Sequence, residues 1–217
     1  MTLIGKKSGH CIKIGGSKAF DRNKEEFIDE LEALSGFPLS VLGLTSLGRI
    51  TPLYFSGQLK GQFASYQYGP VHALTDLAIA EERYVTEAKT LWLVENRAIL
   101  TRIAAENGFL EENESLILCN DGHLRTSHKE AITQIIVNSS IQQVIIWTDY
   151  DQDGLLIARE LYETIEDLPC KWISPDGDVI SDWQSFEQDI SQYIQTEQKE
   201  QEQILGGAEQ WKNWVRH

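Results

Sequence analysis

The sequence predicts an α/β protein with a central, mostly parallel sheet that is flanked by helices. The main observation is a series of four short apolar runs that read as buried strands: LWLVE (91–95), SLILC (115–119), QVIIWT (143–148) and CKWIS (170–174). A helical pattern follows each of the first three runs. Strands that alternate with helices are typical of a parallel sheet, and runs that are apolar throughout indicate strands covered on both faces.

The intervening helices are predicted from apolar spacing and from end signals. The stretches with this spacing are NRAILTRIAAENG (96–108), HKEAITQIIVNS (128–139) and LLIARELYETIED (155–167). Gly108 ends the first helix, and Pro169 stops the third. The alternating region therefore predicts one domain over residues 90–175.

Residues 1–89 are predicted to form an accessory α+β region. CIKIG (11–15) indicates a short strand, and apolar spacing predicts a helix over 21–34. Residues 36–70 are rich in Gly, Pro, Ser and aromatics, which favours loops or a hairpin. The stretch 72–88 has a helical pattern.

Residues 176–217 predict a C-terminal helical extension. It comprises a turn, a helix whose apolar side carries Trp183, Phe186, Ile190 and Tyr193, and a Gln/Glu-rich segment (196–204) typical of a solvated helix. Two tryptophans three positions apart, Trp211 and Trp214, are expected to pack back on the core.

Composition is that of a globular, cytoplasmic protein. Of the 217 residues 41% are hydrophobic and 9% aromatic, which excludes a disordered chain. No run of apolar residues is long enough for a membrane span, and no signal peptide pattern follows Met1. The three cysteines, Cys11, Cys119 and Cys170, are far apart and lack CxxC spacing, so we expect reduced thiols and no zinc site.

The net charge of −14 comes entirely from residues 91–217, which carry 9 basic and 23 acidic side chains. Residues 1–90 carry 10 of each. Six basic residues cluster near the N-terminus, and Asp21 is the only acidic residue among them. The basic residues are Lys6, Lys7, Lys13, Lys18, Arg22 and Lys24. This cluster is either a phosphate-binding patch or an ordinary solvated face.

An acidic motif, DYDQDG (149–154), follows the third apolar run directly. Carboxylates on alternate residues repel one another unless a hard cation or a solvated turn relieves them. Helix capping explains Asp153 but not Asp149 and Asp151 as well. Gly154 permits a tight turn into the next helix. The motif therefore predicts a cation site formed by the three aspartates.

Residues 149–160 also fit the template of an EF-hand calcium loop, with Glu160 at the twelfth position. Two features count against this alternative. The loop should follow a helix, whereas QVIIWT indicates a strand, and the ninth position is the apolar Ile157.

Glu95 ends the first apolar run and opens a helix, which is the same context as Asp149. In a parallel sheet, functional groups lie at the carboxyl ends of the strands. We therefore expect Glu95 to lie beside Asp149 and Asp151. The alternative is that Glu95 belongs only to a helix cap assisted by Asn96.

Three motifs occur in a fixed order: VEN (94–96), a loop with Gly122, and a strand followed by DxDxDG. This order resembles the Toprim fold of topoisomerases, primases and some nucleases. WTDYDQDGLLIA (147–158) is similar to the Toprim domain of the topoisomerase VI (type IIB) A subunit. It is closer still to the nuclease subunit JetD of Wadjet plasmid-defence systems. The resemblance covers about residues 90–175 and implies a Rossmann-like domain.

The resemblance assigns the metal glutamate to Glu95 and the paired aspartates to Asp149 and Asp151. Asp153 is then an auxiliary ligand or a helix cap, and Gly122 lies in the middle loop with Asn120, Asp121 and His123. The candidate substrate contacts are Gly122, His123, His128 and the cationic residues Lys18, Arg22, Arg97 and Arg125. Unlike the topoisomerases, the chain has no convincing nucleophilic tyrosine, because Tyr54, Tyr66 and Tyr68 lie in loop-like or packed surroundings.

The expected function is Mg²⁺- or Mn²⁺-dependent hydrolysis of nucleic-acid phosphodiesters, with DNA favoured over RNA as the substrate. A role in plasmid or phage defence is also expected. Mg²⁺ held by Glu95, Asp149 and Asp151 would activate water, and a second ion near Asp153 could assist the leaving oxygen. The resemblance allows ATPase or SMC-like partners and a homodimer. The alternative is a non-enzymatic nucleic-acid-binding or assembly subunit with a structural metal.

Overall fold

The computed structural model describes residues 3–7, 10–14, 24–37, 41, 44–46, 50–165, 168–196, 201–204 and 206–216. The chain divides into two compact units. The first unit comprises residues 1–51 and 125–127, and the second comprises 52–124 and 128–217.

The first unit contains a small antiparallel sheet and a helix. Its strands are β1 (Leu3–Lys7), β2 (His10–Ile14) and β3 (Leu44–Ser46), in the order β2-β1-β3. Helix α1 spans Lys24–Ser35. The strand predicted at 11–15 is thus confirmed within one residue. The helix predicted over 21–34 is confirmed from Lys24, and residues 21–23 lie outside the described residues.

The second unit is a Rossmann-like α/β fold around a seven-stranded sheet. The strands are β4 (Pro52–Ser56), β7 (His72–Thr75), β8 (Thr90–Val94), β9 (Ser115–Cys119), β10 (Gln143–Trp147), β11 (Cys170–Ile173) and β12 (Val179–Ile180). Their order is β12-β11-β10-β8-β9-β4-β7; β11, β10, β8 and β9 are parallel, and the three other pairings are antiparallel. All four predicted apolar strands are therefore confirmed.

The remaining helices are α2 (Asp76–Glu81), α3 (Arg97–Ala104), α4 (Phe109–Glu112), α5 (Thr126–Asn138), α6 (Gln152–Thr164), α7 (Trp183–Tyr193) and α8 (Ala208–Arg216), and β5 (Leu59–Lys60) and β6 (Ser65–Tyr66) form a short hairpin. Helices α3 to α6 connect the parallel strands. Strands β8 and β9 are buried at every position, as expected of strands covered on both faces.

Two expectations for residues 36–88 are corrected. The stretch 72–88 is not one helix, because residues 72–75 form β7 and the helix ends at Glu81. Residues 52–56, expected as loop or hairpin, form strand β4, which pairs with both β7 and β9. Strand pairing overrides the helical spacing of this segment. The second compact unit begins at Pro52.

The C-terminal residues are part of the same core. Trp211 and Trp214 are fully buried, which confirms that they pack back on the domain. The Trp214 indole donates to the Gly177 carbonyl at 2.8 Å, and the buried Lys171 ammonium donates to the carbonyls of Trp214 and Val215, each at 3.1 Å. In the predicted Gln/Glu-rich helix, residues 201–204 form a 3-10 helix and 197–200 lie outside the described residues. Within the described part of the chain, no helix could span a membrane.

Candidate metal centre

Three parallel strands end level with one another, and this edge of the sheet carries the acidic residues. Val94 at the end of β8 pairs with the last residue of β10 on one side and with that of β9 on the other. The next residues continue the ladder, because Glu95 N–H donates to the Trp147 carbonyl at 3.2 Å and Asn120 N–H donates to the Val94 carbonyl at 3.3 Å. Glu95, Asn120 and Asp149 therefore lie at one edge.

Glu95 and Asp149 are in direct contact. Glu95 Oε2 accepts a hydrogen bond from the Asp149 backbone N–H at 3.0 Å. Burial, together with the charges of Asp149 and Asp151, raises the pKa of Glu95 to about 7, although the Asp149 N–H and the charge of His123 lower it. The carboxylate is thus held in partly buried, electronegative surroundings. Asn96 caps α3 by accepting from Ala98 N–H at 2.9 Å, so the cap does not need the Glu95 side chain.

The other two aspartates lie at the start of α6. Asp151 is its N-cap, and its Oδ1 accepts from Gly154 N–H at 2.7 Å. Asp153 is exposed in the first turn. Gly154 is required for this turn, since a Cβ there would lie 2.7 Å from the Asp149 carbonyl carbon and 3.1 Å from its Cα. Close backbone approach thus fixes Asp149 against the helix.

Tyr150 anchors the acidic turn from within the core. Its side chain is buried, and its hydroxyl accepts from the Trp147 indole at 3.0 Å. The same hydroxyl lies 3.0 Å from the carbonyls of Ile173 and Ser174, to which it can donate. Tyr150, which lies between Asp149 and Asp151, therefore points into the core. The sequence shows a tyrosine between two aspartates, but the anchoring role of Tyr150 was not predicted.

The middle loop brings a cation to the same edge. The Arg97 Nε donates to Asp121 Oδ1 at 2.9 Å, and its guanidinium lies 5.4 Å from the centroid of the Tyr54 ring. Asp121 has φ +56° and Gly122 φ +100°, both in the left-handed region. The buried Asn120 side chain donates to the Gly122 carbonyl and holds this loop. Arg97 and Gly122, predicted as substrate contacts, are thus brought together.

Glu160 supports the loop and does not complete a calcium site. Its carboxylate accepts from Leu124 N–H at 3.0 Å and lies 3.2 Å from His123 Nδ1. The element before Asp149 is strand β10, whereas an EF-hand loop follows a helix. Residues 149–160 therefore lack the EF-hand arrangement. The sequence identified Glu160 only as a calcium-loop position.

Of the remaining predicted contacts, two lie outside the described residues and two contact other residues. Lys18 and Arg22 lie outside the described residues. Arg125 belongs to the first compact unit, where it pairs with Asp29 at 3.4 Å. His128 was expected as a candidate phosphate contact, but it is buried with Nε2 3.1 Å from the Pro52 carbonyl, which corrects that expectation.

Among the described residues, no three His, Cys, Asp or Glu side chains surround one point in a geometry that could hold a metal ion. Glu95 and Asp149 meet, but the Asp151 side chain is turned into its cap. Cys119 and Cys170 are free and buried, and burial raises their pKa values to about 12 and about 11. These thiols are therefore unreactive at neutral pH.

The fold and the site define an α/β protein with an acidic cluster at the carboxyl edge of a Rossmann-like sheet. The chain belongs to the family described as "Protein of unknown function C-terminus (DUF2399)", whose model matches residues 72–203. This match contains the parallel strands and all the acidic residues of the site. A search of curated proteins found no match to the chain.

Proposed function

We propose that the protein is a divalent-metal-dependent nuclease that hydrolyses nucleic-acid phosphodiesters at the edge formed by Glu95, Asp149 and Asp151. DNA is favoured over RNA as the substrate. The observation that carries the proposal is the contact between Glu95 and the Asp149 backbone at the ends of adjacent parallel strands. Partly buried carboxylates that face one another are costly unless a cation neutralises them. A divalent ion bound here would remove that cost.

The donors fit a hard cation. Glu95 and Asp149 offer carboxylate oxygens and no soft ligand, which suits Mg²⁺ or Mn²⁺. Asp151 uses Oδ1 in its cap, so Oδ2 is the oxygen that it would contribute. Asp153, exposed in the first turn of the helix, would serve as an auxiliary ligand.

The bound ion would polarise a phosphoryl oxygen and lower the pKa of the attacking water. The chain's own residues would position the substrate. Arg97, kept at the edge by Asp121 and Tyr54, would bind a phosphate, and exposed His123 beside Glu160 is a second candidate. The left-handed backbone at Gly122 would let a strand of nucleic acid approach the loop closely.

The resemblance to the Toprim domains of topoisomerase VI A subunits and JetD nucleases supports this proposal, and membership of the DUF2399 family is consistent with a JetD-like protein. On that basis we also propose a cytoplasmic role in plasmid or phage defence, with ATPase or SMC-like partners. A non-enzymatic assembly subunit is the second candidate. Two observations favour this second candidate. Asp151 uses Oδ1 in its helix cap, which leaves it fewer oxygens for a metal ion, and the net charge of −14 repels phosphates.

Nicking of supercoiled plasmid with Mg²⁺ or Mn²⁺ tests the proposal. We expect nicked product that disappears with chelator and in Glu95→Gln and Asp149→Asn, while the exposed controls Glu163→Gln and Asp189→Asn retain activity. No protein should stay attached to the DNA.

Phe substitution at Tyr54, Tyr66 or Tyr68 should leave nicking in place. Covalently trapped protein that one of these changes abolishes would replace hydrolysis by a topoisomerase-like reaction. Absence of cleavage with every metal and with relaxed or supercoiled DNA would favour the assembly subunit.

A further inference from the structure

A cavity lies at the end of the parallel strands opposite to the acidic residues. It encloses about 480 Å³ and is lined chiefly by Tyr162, Trp172, Ser181, Asp182, Trp183 and Gln184. Cys170, which also lines it, is the first residue of β11 and pairs level with Val144 near the start of β10. The acidic residues follow the other end of β10. The cavity is therefore separate from the proposed catalytic edge.

The cavity is walled by three aromatic rings. The Tyr162 and Trp183 rings are stacked, with centroids 5.4 Å apart and planes inclined by 17°, and Trp172 meets Tyr162 edge-on at 5.2 Å. Tyr162 is 37% exposed, so this wall is open to solvent. Trp183 already has the Arg159 guanidinium 5.9 Å from its ring centroid. The electron-rich surroundings thus attract a planar cation.

Charge favours a cationic occupant. Asp182 is the only charged side chain among the described residues that line the cavity. Both hydrogen bonds to its carboxylate, from the Ser185 N–H at 2.8 Å and the Ser185 hydroxyl at 2.7 Å, end on Oδ2. These bonds lower the pKa of Asp182, which keeps it charged, and leave Oδ1 for a ligand. Residues 91–217 carry the whole charge of −14, which attracts cationic ligands.

We propose that this cavity docks a basic segment of a partner protein, with an arginine side chain against Tyr162 and Trp183 and its guanidinium paired with Asp182. A planar guanidinium stacks on aromatic rings and pairs with a carboxylate at the same time. This inference does not depend on nuclease activity.

Indole N–H resonances of the full-length, ¹⁵N-labelled protein test the proposal. The probe is the blocked peptide acetyl-(Gly-Arg)₃-amide, added to millimolar concentration at low salt. We expect saturable shifts of the Trp172 and Trp183 indoles, with Trp92 and Trp147 unmoved as internal controls for folding. The citrulline analogue, which has no charge, and acetyl-(Gly-Lys)₃-amide should bind more weakly.

Asp182→Asn retains an N-cap oxygen for α7 but removes the charge, so it should weaken arginine-peptide binding about two- to five-fold. Asp189→Asn, an exposed change of equal charge on the same helix, should not. Absence of shifts at millimolar peptide, equal shifts with citrulline, or unchanged binding in Asp182→Asn would each overturn the proposal. Stronger shifts with an oligothymidine than with the peptide would overturn it in favour of a nucleic-acid surface.

Discussion

Replacing Glu95 by glutamine should stabilise the metal-free protein at alkaline pH. Glutamine keeps an oxygen that can accept from the Asp149 N–H and removes the charge that burial and the neighbouring carboxylates disfavour. The pKa of Glu95 rises from 4.5 to about 7, which corresponds to about 3 kcal/mol of unfolding free energy at about 1.4 kcal/mol per pH unit. This value is the upper limit of the expected gain.

The sign follows from proton binding. A raised carboxyl pKa means that the folded state binds the proton more tightly than the unfolded state does, so Glu95 destabilises the fold as the pH rises from 4.5 through about 7. The gain from Glu95→Gln should therefore be full at about pH 8 and fall to about half at about pH 5.5.

Urea unfolding in chelator at both pH values measures this difference. The control is Glu163→Gln, which neutralises an exposed glutamate and should change stability by less than about 0.5 kcal/mol. A Glu95→Gln protein that is no more stable than wild type at the higher pH would refute the electrostatic description of the site. So would a gain that is independent of pH.

Three further outcomes follow from the same geometry. Gly154→Ala should cost roughly 1–3 kcal/mol and abolish nicking, because its Cβ meets the Asp149 backbone, whereas Gly207→Ala, with no atom within 4 Å of the added carbon, should leave the Tm nearly unchanged. Tyr150→Phe should cost roughly 1–3 kcal/mol in urea unfolding, since the buried Trp147 indole loses its acceptor, and a wild-type midpoint would contradict the anchoring role. Mg²⁺ or Mn²⁺ should raise the Tm of the wild type, and Asp151→Asn should reduce that increase without lowering apo stability, because asparagine also caps helices. A Tm increase that Asp151→Asn leaves intact would remove Asp151 from the ligand set.

The parallel strands could be predicted from the sequence because each is apolar at every position and stands between clear helical patterns. Once β8 and β10 were recognised as parallel, the meeting of Glu95 and Asp149 followed from topology. The antiparallel strands β4 and β7 could not be predicted in the same way. Their segments mix Gly, Pro and helix-forming residues, and only the pairing of β4 with β9 and of β7 with β4 makes them strands.

The supporting residues of the site were also beyond sequence reasoning. The pairing of Glu160 with His123 and Leu124 joins residues about 36 positions apart, and no local pattern indicates it. The ion pair of Arg97 with Asp121 depends on a left-handed backbone at an aspartate, which the sequence does not require. Local spacing thus identifies the carboxylates, whereas long-range contacts determine what surrounds them.

Calorimetric titration of Mn²⁺ into the chelator-treated protein tests the central claim that Glu95 and Asp149 together bind a divalent cation. We expect at least one site per chain in the wild type and in Glu163→Gln, and loss of that site in both Glu95→Gln and Asp149→Asn. Wild-type Mn²⁺ binding in these two variants would contradict the account, as would a preference for Ca²⁺ with binding that depends on Glu160 instead.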